Sequence, residues 1–309
     1  MKIGIIGAGA MGSLFGARLA DGDNQVTLID VWREHVRKIN AEGLRLVGEN
    51  GEKIYHLRAV ESPRSLGTQD LVIIFVKSYH TTAALKNAAN LLGPNTAVLT
   101  LQNGLGNAEL ISEVAGGAAV YAGTTSHGAH VLGPALVRHA GEGETVIGRF
   151  GGPNDRRAGE IAAALTRCSL VTRVTDNIDG LIWDKLLVNV GINALTAICA
   201  IPNGGLVDLK SAGLLMEKLV AEAEGVARAK GIKLPGDNPR AKAREVAAAT
   251  GENRSSMLQD MENRRRTEID FINGAIVKEG AKVNVATPCN EMVALLIKTL
   301  EEKRSKGIA

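Results

Sequence analysis

KIGIIGAGAMG, residues 2–12, sets a short apolar strand directly against a glycine-rich turn and the opening of a helix. In that setting the three glycines have separate physical tasks. Gly7 permits the tight turn, Gly9 lets the backbone approach a pyrophosphate, and Gly12 lets the following helix pack closely on the strand. The helix N-terminus then faces negative charge, so Gly7, Ala8, Gly9, Ala10, Met11 and Gly12 are the candidate dinucleotide-binding residues. A second strand, QVTLID (25–30), ends at Asp30, eighteen residues beyond Gly12. A carboxylate there accepts hydrogen bonds from the adenosine ribose and repels a 2′-phosphate. Arg33, just beyond, offers such a phosphate a charge-assisted pair, so NADH and NADPH both stay open. Trp32 either covers the adenine or packs at the start of its helix.

Outward from this turn, short β-branched runs alternate with helical patterns at Met11–Asp21 and Trp32–Glu42, and continue through LRLVG, KIYHLRAV, DLVIIFVK, AVLTLQNG, AAVYAGTTS and ETVIGRF. The alternation predicts a doubly wound, largely parallel sheet with a less regular later part. The 128–140 stretch, with His127, His130 and His139 nearby, reads as a surface or crossover segment. Its intervening glycines and missing acidic ligand spacing argue against a metal site, and no metal is expected. Beyond Asp176 the spacing turns helical, over Ile178–Ile201, Ser211–Lys230, Asn238–Ala249, Ser256–Glu279 and Pro288–Lys303. Gly231 and Gly280 suit C-caps, and Thr287-Pro288 suits the start of the last helix. The expected architecture is an α/β Rossmann-like N-terminal domain, residues 1–175, joined to a separate all-helical C-terminal domain, residues 176–309.

Composition narrows the function classes. A net charge of +3 against 33 acidic residues, with no aromatic-interleaved basic strip, gives no warrant for a nucleic-acid binder. Cys168, Cys199 and Cys289 are odd in number and lack paired metal-ligand spacing, so buried free thiols are expected. The chain opens on a core strand without a basic leader, and no apolar run reaches spanning length without polar interruption, so a cytoplasmic location and no membrane partner are expected.

The candidate chemistry lies in LIWDKLLVNVGINALTAICAIPNGG, residues 181–205, where Lys185, Asn189 and Asn193 recur every four residues among apolar neighbours. Helix spacing puts them on one stripe. Polar groups so placed form either an internal hydrogen-bonded strut or one wall of a cleft for a polar ligand, and a lysine favours the cleft because a buried ammonium needs an anion. Lys77 and Asn103 close two of the strand runs, where the carboxyl ends of an open sheet surround a ligand crevice. Ser256 and Glu268 sit twelve positions apart, about 18 Å on a straight helix, so both touch one small ligand only if Ser256 lies in a loop or a bent first turn. Glu268 otherwise reads as an exposed helix charge.

GAGAMG, Lys77 in FVKS, Asn103 in QNG, WDKLLVNVGINALTAICAIPNG and NRSSMLQDMENRRRTEIDFING together resemble the ketopantoate reductase (2-dehydropantoate 2-reductase) family over essentially the whole chain. The resemblance implies a Rossmann-like domain joined to a helical one, with NADPH and ketopantoate meeting between them. It also implies Lys185 as the general acid for the C2 oxygen and Glu268 as the acidic partner of the substrate hydroxyl. Asn103, Asn189, Asn193 and Ser256 are implied as the polar substrate shell, with Asn203 and Asn253 as further polar positions. Lys77 is implied near the nicotinamide and substrate, and Lys77 and Asn103 also serve on the cofactor side. Asp30 departs from an NADPH-preferring pattern and admits an NAD-dependent D-2-hydroxyacid dehydrogenase acting on another branched or aromatic 2-keto acid. A non-catalytic nicotinamide-binding regulator is the alternative of a different class, against which Lys185 and Glu268 argue. Domain closure around substrate and a homodimer are further expectations.

Overall fold

The computed structural model describes residues 1–48 and 51–308. Strands are β1 (Lys2–Ile6), β2 (Gln25–Ile29), β3 (Leu44–Gly48), β4 (Gly51–Tyr55), β5 (Arg58–Val60), β6 (Leu71–Ile74), β7 (Ala97–Thr100), β8 (Ala119–Thr125), β9 (Gly128–Gly133), β10 (Leu136–Gly141), β11 (Thr145–Arg149) and β12 (Thr172–Val174). Helices are α1 (Ala10–Ala20), α2 (Arg33–Glu42), α3 (Thr81–Asn87), α4 (Asn107–Val114), α5 (Arg156–Arg167), α6 (Ile178–Cys199), α7 (Gly205–Asp208), α8 (Lys210–Ala229), α9 (Pro239–Ala249), α10 (Ser256–Glu262), α11 (Asn273–Lys282) and α12 (Pro288–Ser305). Two compact units result, one of residues 1–102 and 107–178, the other of 103–106 and 179–309.

The first unit is built on an eight-stranded sheet, β12-β11-β8-β7-β6-β1-β2-β5, parallel except where β11 meets β8. Every residue of β6 and β7 is buried. Their unbroken apolar character therefore follows from burial on both sheet faces. The chain runs from β1 through α1 to β2 on one side, then returns to place β6 on the other side of β1. This reversal sets the loops after β1, β2 and β6 side by side at the carboxyl edge, the position where open α/β sheets bind ligands.

A second sheet, β4-β3-β10-β9, corrects the reading of residues 128–140 as a surface or crossover segment. They form the β9–β10 hairpin, turning at Ala135 with a left-handed φ of 57°. The hairpin lies against α1, as does β3. Packed in this way, α1 buries Ser13, Leu14, Phe15, Gly16, Ala17 and Leu19, so it has no broad polar face. His127 and His139 are buried with ring nitrogens 3.2 Å apart. Among the described residues, no group of three or more His, Cys, Asp or Glu side chains is arranged to hold a metal.

The second unit is helical and centred on α6. By length and composition α6 is apolar enough to cross a membrane, but 72% of its most apolar window is buried inside the unit, as in a core helix. Gly191 brings α6 close to α8, since a β-carbon there would stand 2.8 Å from Val220 Cγ2. Gly231 caps α8 as expected, with φ of 71° and the Ile232 N–H donating to the Ala227 carbonyl. Gly280 does not cap; it lies inside α11, where a β-carbon would meet the Val285 carbonyl at 2.7 Å.

The expected helix over Ser256–Glu279 is broken. After α10 the chain closes a Schellman motif, Arg264 taking φ of 54°, with Arg264 N–H donating to the Met261 carbonyl and Arg265 N–H to that of Asp260. Arg304 of α12 then satisfies the Met261 and Arg265 carbonyls at 2.9 and 2.7 Å. The straight-helix separation of Ser256 and Glu268 therefore does not apply.

Candidate functional site

In the first unit the glycine turn has the form a dinucleotide requires. Gly7 takes φ of 97°, and a β-carbon there would lie 2.6 Å from the Val76 nitrogen. At Gly12 a methyl group would overlap the Gly7 carbonyl oxygen, whereas at Gly9 it would meet nothing within 4 Å. Gly9 thus borders open space at the start of α1, and among the described residues no side chain caps that helix. The first-turn N–H groups of Ala10 and Met11 lack an intrahelical acceptor and are available to an anion. These residues fit a nicotinamide dinucleotide.

Asp30 does more than the sequence reading assigned to it. Its Oδ2 accepts from the Ala8 N–H at 2.6 Å and its Oδ1 from the Trp32 N–H at 2.9 Å. The Ala8 N–H is therefore spent on Asp30 rather than turned to a phosphate, and Ala8 serves by shape. Arg33 pairs with Glu61 at 3.2 Å with 86% of its side chain exposed, so any phosphate must compete with that carboxylate. Trp32 stacks on His35, ring centres 4.8 Å apart. Lys77 is half-buried three residues past β6, in the loop whose Phe75–Val76 backbone backs Gly7. Gln102, passed over in the sequence, ties this edge together: its amide donates to the Val76 carbonyl at 2.6 Å and to Thr81 Oγ1 at 2.9 Å.

The remaining candidates gather in the second unit. Lys185 and Asn189 are half-buried and Asn193 buried along α6. Burial lowers the Lys185 pKa from the ordinary lysine value to about 8. Next to it, buried Asp184 is held by Lys242 of α9 at 2.6 Å. Two contacts bring other segments to this stretch. Thr196, one turn beyond Asn193, shares a 2.7 Å hydrogen bond with Ser255, whose hydroxyl also caps α10 by accepting from Leu258 N–H. That bond fixes Ser255 against α6 at Thr196, and the exposed Ser256 follows it as the first residue of α10. Asn273 of α11 donates to the Val190 carbonyl at 3.1 Å, between Asn189 and Asn193. Glu268 is five residues before Asn273, buried at the start of a 3₁₀ turn over Ile269–Phe271, and is not an exposed helix charge.

Asn103 joins the same unit. Leu105 N–H donates to the Phe271 carbonyl at 2.9 Å, and Gly104, φ 86°, lies so close to Phe271 that a β-carbon would stand 2.5 Å from that oxygen. Asn203 and Asn253 meet through their backbones at 2.9 Å, with the Asn203 amide donating to Thr250 Oγ1. Asn203 is buried and its Oδ1 has no hydrogen-bond partner among the described residues, while Asn253 is exposed. These two hold the turn after α6 against the 250–253 turn. Ser255, Thr196 and Asn273 were missed in the sequence. The serine N-cap pattern of SSMLQD was a legible signal for Ser255; the other two depend on which helices meet.

Residues 3–152 match the family model described as ketopantoate reductase PanE/ApbA, and residues 177–301 match its C-terminal counterpart. The chain belongs to the ketopantoate reductase family. It is 39% identical over 299 residues to a 2-dehydropantoate 2-reductase of Halobacterium salinarum, covering 96% of this chain and 98% of that one. Identity to the 2-dehydropantoate 2-reductase of Pyrococcus horikoshii is 38% over 301 residues, with 97% and 98% covered. Among solved structures, a PanE/ApbA family ketopantoate reductase from Ralstonia eutropha superposes with a TM-score of 0.92 at 33% identity, covering 99% of this chain and 100% of that one. A D-mandelate dehydrogenase solved with NADH and anilino(oxo)acetate superposes with a TM-score of 0.93, also at 33% identity, covering 98% and 99%.

Proposed function

We propose that the protein is a 2-dehydropantoate 2-reductase, reducing ketopantoate to D-pantoate. The observation that carries this reading is the desolvated lysine, Lys185, on a helix that also bears Asn189 and Asn193 and is hydrogen-bonded to Ser255 and Asn273 of the following segments, in a chain whose curated relatives bear that enzyme's name. A bound reduced nicotinamide supplies the hydride. Lys185 stabilises the negative charge that develops on the C2 oxygen and transfers a proton to it, for which a pKa near the working pH is well suited. Glu268 orients the substrate hydroxyl, Ser256 and the asparagines hold the carboxylate and carbonyl, and Lys77 serves near the nicotinamide.

Within this reading the cofactor is NADH. Asp30 and Glu61 flank the end of β2 with negative charge, and Arg33 is already paired. A 2′-phosphate meets repulsion there, whereas ribose hydroxyls find an acceptor. Steady-state kinetics with ketopantoate and each reduced cofactor tests both statements. We expect kcat/KM at least about tenfold higher with NADH, on the scale of one charge-assisted contact. No turnover of ketopantoate with either cofactor by folded protein would overturn the reductase assignment. A second reading, a D-2-hydroxyacid dehydrogenase for an aromatic 2-keto acid, is favoured by the D-mandelate dehydrogenase likeness together with Asp30. Higher kcat/KM for phenylglyoxylate than for ketopantoate would select it.

A cytoplasmic location suits the three unbridged cysteines. The reading also includes a homodimer. Leu214 and Leu215 of α8 and Met292, Leu295 and Leu296 of α12 are 44–63% exposed, on helices joined through Asn290 and Glu222. A second copy presenting the same apolar face matches it in a two-fold interface. Sedimentation should give a dimer mass for the native protein and a monomer mass for Leu295→Asp; a monomer at all native concentrations rejects the dimer.

A further inference from the structure

His35 is buried on α2, away from the groups assigned to the reaction, yet it is wired to the dinucleotide turn. Its Nδ1 accepts a hydrogen bond from the Ala135 N–H at 3.0 Å. A backbone amide only donates, so Nδ1 carries no proton and the neutral ring bears its hydrogen on Nε2. Nε2 lies 3.3 Å from Ser13 Oγ, and Ser13 Oγ lies 2.8 Å from the Ala8 carbonyl oxygen. The Ser13 hydroxyl has one hydrogen, directed at Ala8, so it accepts from His35 Nε2–H. The Ala8 N–H then donates to Asp30 Oδ2 at 2.6 Å.

The bonds form one directional chain, from the β9–β10 turn through His35 and Ser13 to both polar ends of Ala8 and on to Asp30. Burial lowers the His35 pKa against the opposing pull of Asp30, in keeping with a neutral ring. The stacked Trp32 covers the imidazole face.

We propose that His35, locked as the Nε2–H tautomer, is a positioning residue for dinucleotide binding: it sets the Ala8 peptide, and through it the Gly9 opening and the Asp30 carboxylate. The inference rests on the dinucleotide assignment of the Gly7–Gly12 turn and is independent of which keto acid is reduced.

Two measurements on the full-length protein test it. Long-range ¹H–¹⁵N spectra of the ligand-free protein should show one histidine fixed as the Nε2–H tautomer and lost in His35→Gln; an Nδ1–H or exchanging pattern for that residue would overturn the proposal. The second is NADH affinity, followed by nicotinamide fluorescence. His35→Phe keeps the ring volume and removes both bonds, and should weaken NADH about tenfold while changing kcat less than about threefold, the scale of one lost buried hydrogen bond. His35→Gln retains a donor toward Ser13 and should recover most of the affinity. Ser13→Ala, which breaks the chain at its next link, should reproduce the His35→Phe loss and serves if that variant does not fold. NADH affinity unchanged in the phenylalanine and alanine variants, with only thermal stability reduced, would leave His35 a packing residue and overturn its positioning role. If wild-type protein binds no dinucleotide at all, the cofactor assignment fails, which is distinguishable because the tautomer measurement is made without ligand.

Discussion

Lys185→Ala lowers kcat for ketopantoate reduction by roughly 10²–10⁴-fold, the scale of a positioned proton donor, and leaves NADH affinity within about twofold. The pH profile supplies the sharper form of this result. Burial puts the Lys185 pKa at about 8 in the folded protein. The proton donor is the ammonium, so kcat/KM for reduction holds below that pH and falls with unit slope above it. The reverse oxidation, which needs the free amine, rises over the same interval. Lys185→Arg retains a cation that does not deprotonate in this range and removes the limb near pH 8. Stability follows the opposite rule to a strut. A lysine with a lowered pKa binds fewer protons folded than unfolded between about pH 8 and its ordinary value near 10.4, so stability gained from it rises with pH there and its cost is carried below pH 8. Lys185→Met should therefore hold or raise Tm at pH 7. A Tm drop of several degrees together with impaired cofactor binding marks Lys185 as a structural strut instead.

Gly9→Ala and Gly12→Ala separate the two demands made on the glycine turn. A methyl group at Gly9 touches nothing within 4 Å, so the folded protein accepts it and Tm stays within about 2 °C of the native value. The space it fills is where the backbone must approach a pyrophosphate, and we expect NADH affinity to fall about 100-fold, near 2.7 kcal/mol. At Gly12 the added carbon overlaps the Gly7 carbonyl oxygen, so α1 cannot seat against β1. That variant should lose several kcal/mol of stability and accumulate poorly, the outcome of overpacking a close backbone contact. Calorimetry and fluorescence titration on both variants check the pair; equal NADH affinity in Gly9→Ala and native protein would remove the pyrophosphate from this turn.

The β1 turn and its glycines were readable because every demand on them is local: a strand end, a positive φ at Gly7 and a helix packed on its own preceding strand. The same holds for β6 and β7, whose unbroken apolar runs announce burial on both faces, and for α6, where the four-residue interval of Lys185, Asn189 and Asn193 survives as a stripe. The LRLVG run was readable as a strand, and it is β3, but its membership of a second sheet was not. β3 pairs with β10, Arg45 opposite Leu136, and a pairing between strands this short and this far apart is settled by packing rather than by either run alone. The end of α10 belongs to the same class. Arg264 adopts a left-handed φ with no glycine to mark it, and the guanidinium that donates to the exposed carbonyl oxygens comes from Arg304 on α12. Asn103 looked like a strand-end residue of the first half. Its segment groups with the second unit because Gly104 and Leu105 fit against Phe271, a contact between residues more than 160 positions apart. Local spacing carries the conformational preferences of a residue, but hydrogen-bond partners that lie far along the chain exist only once the chain has packed.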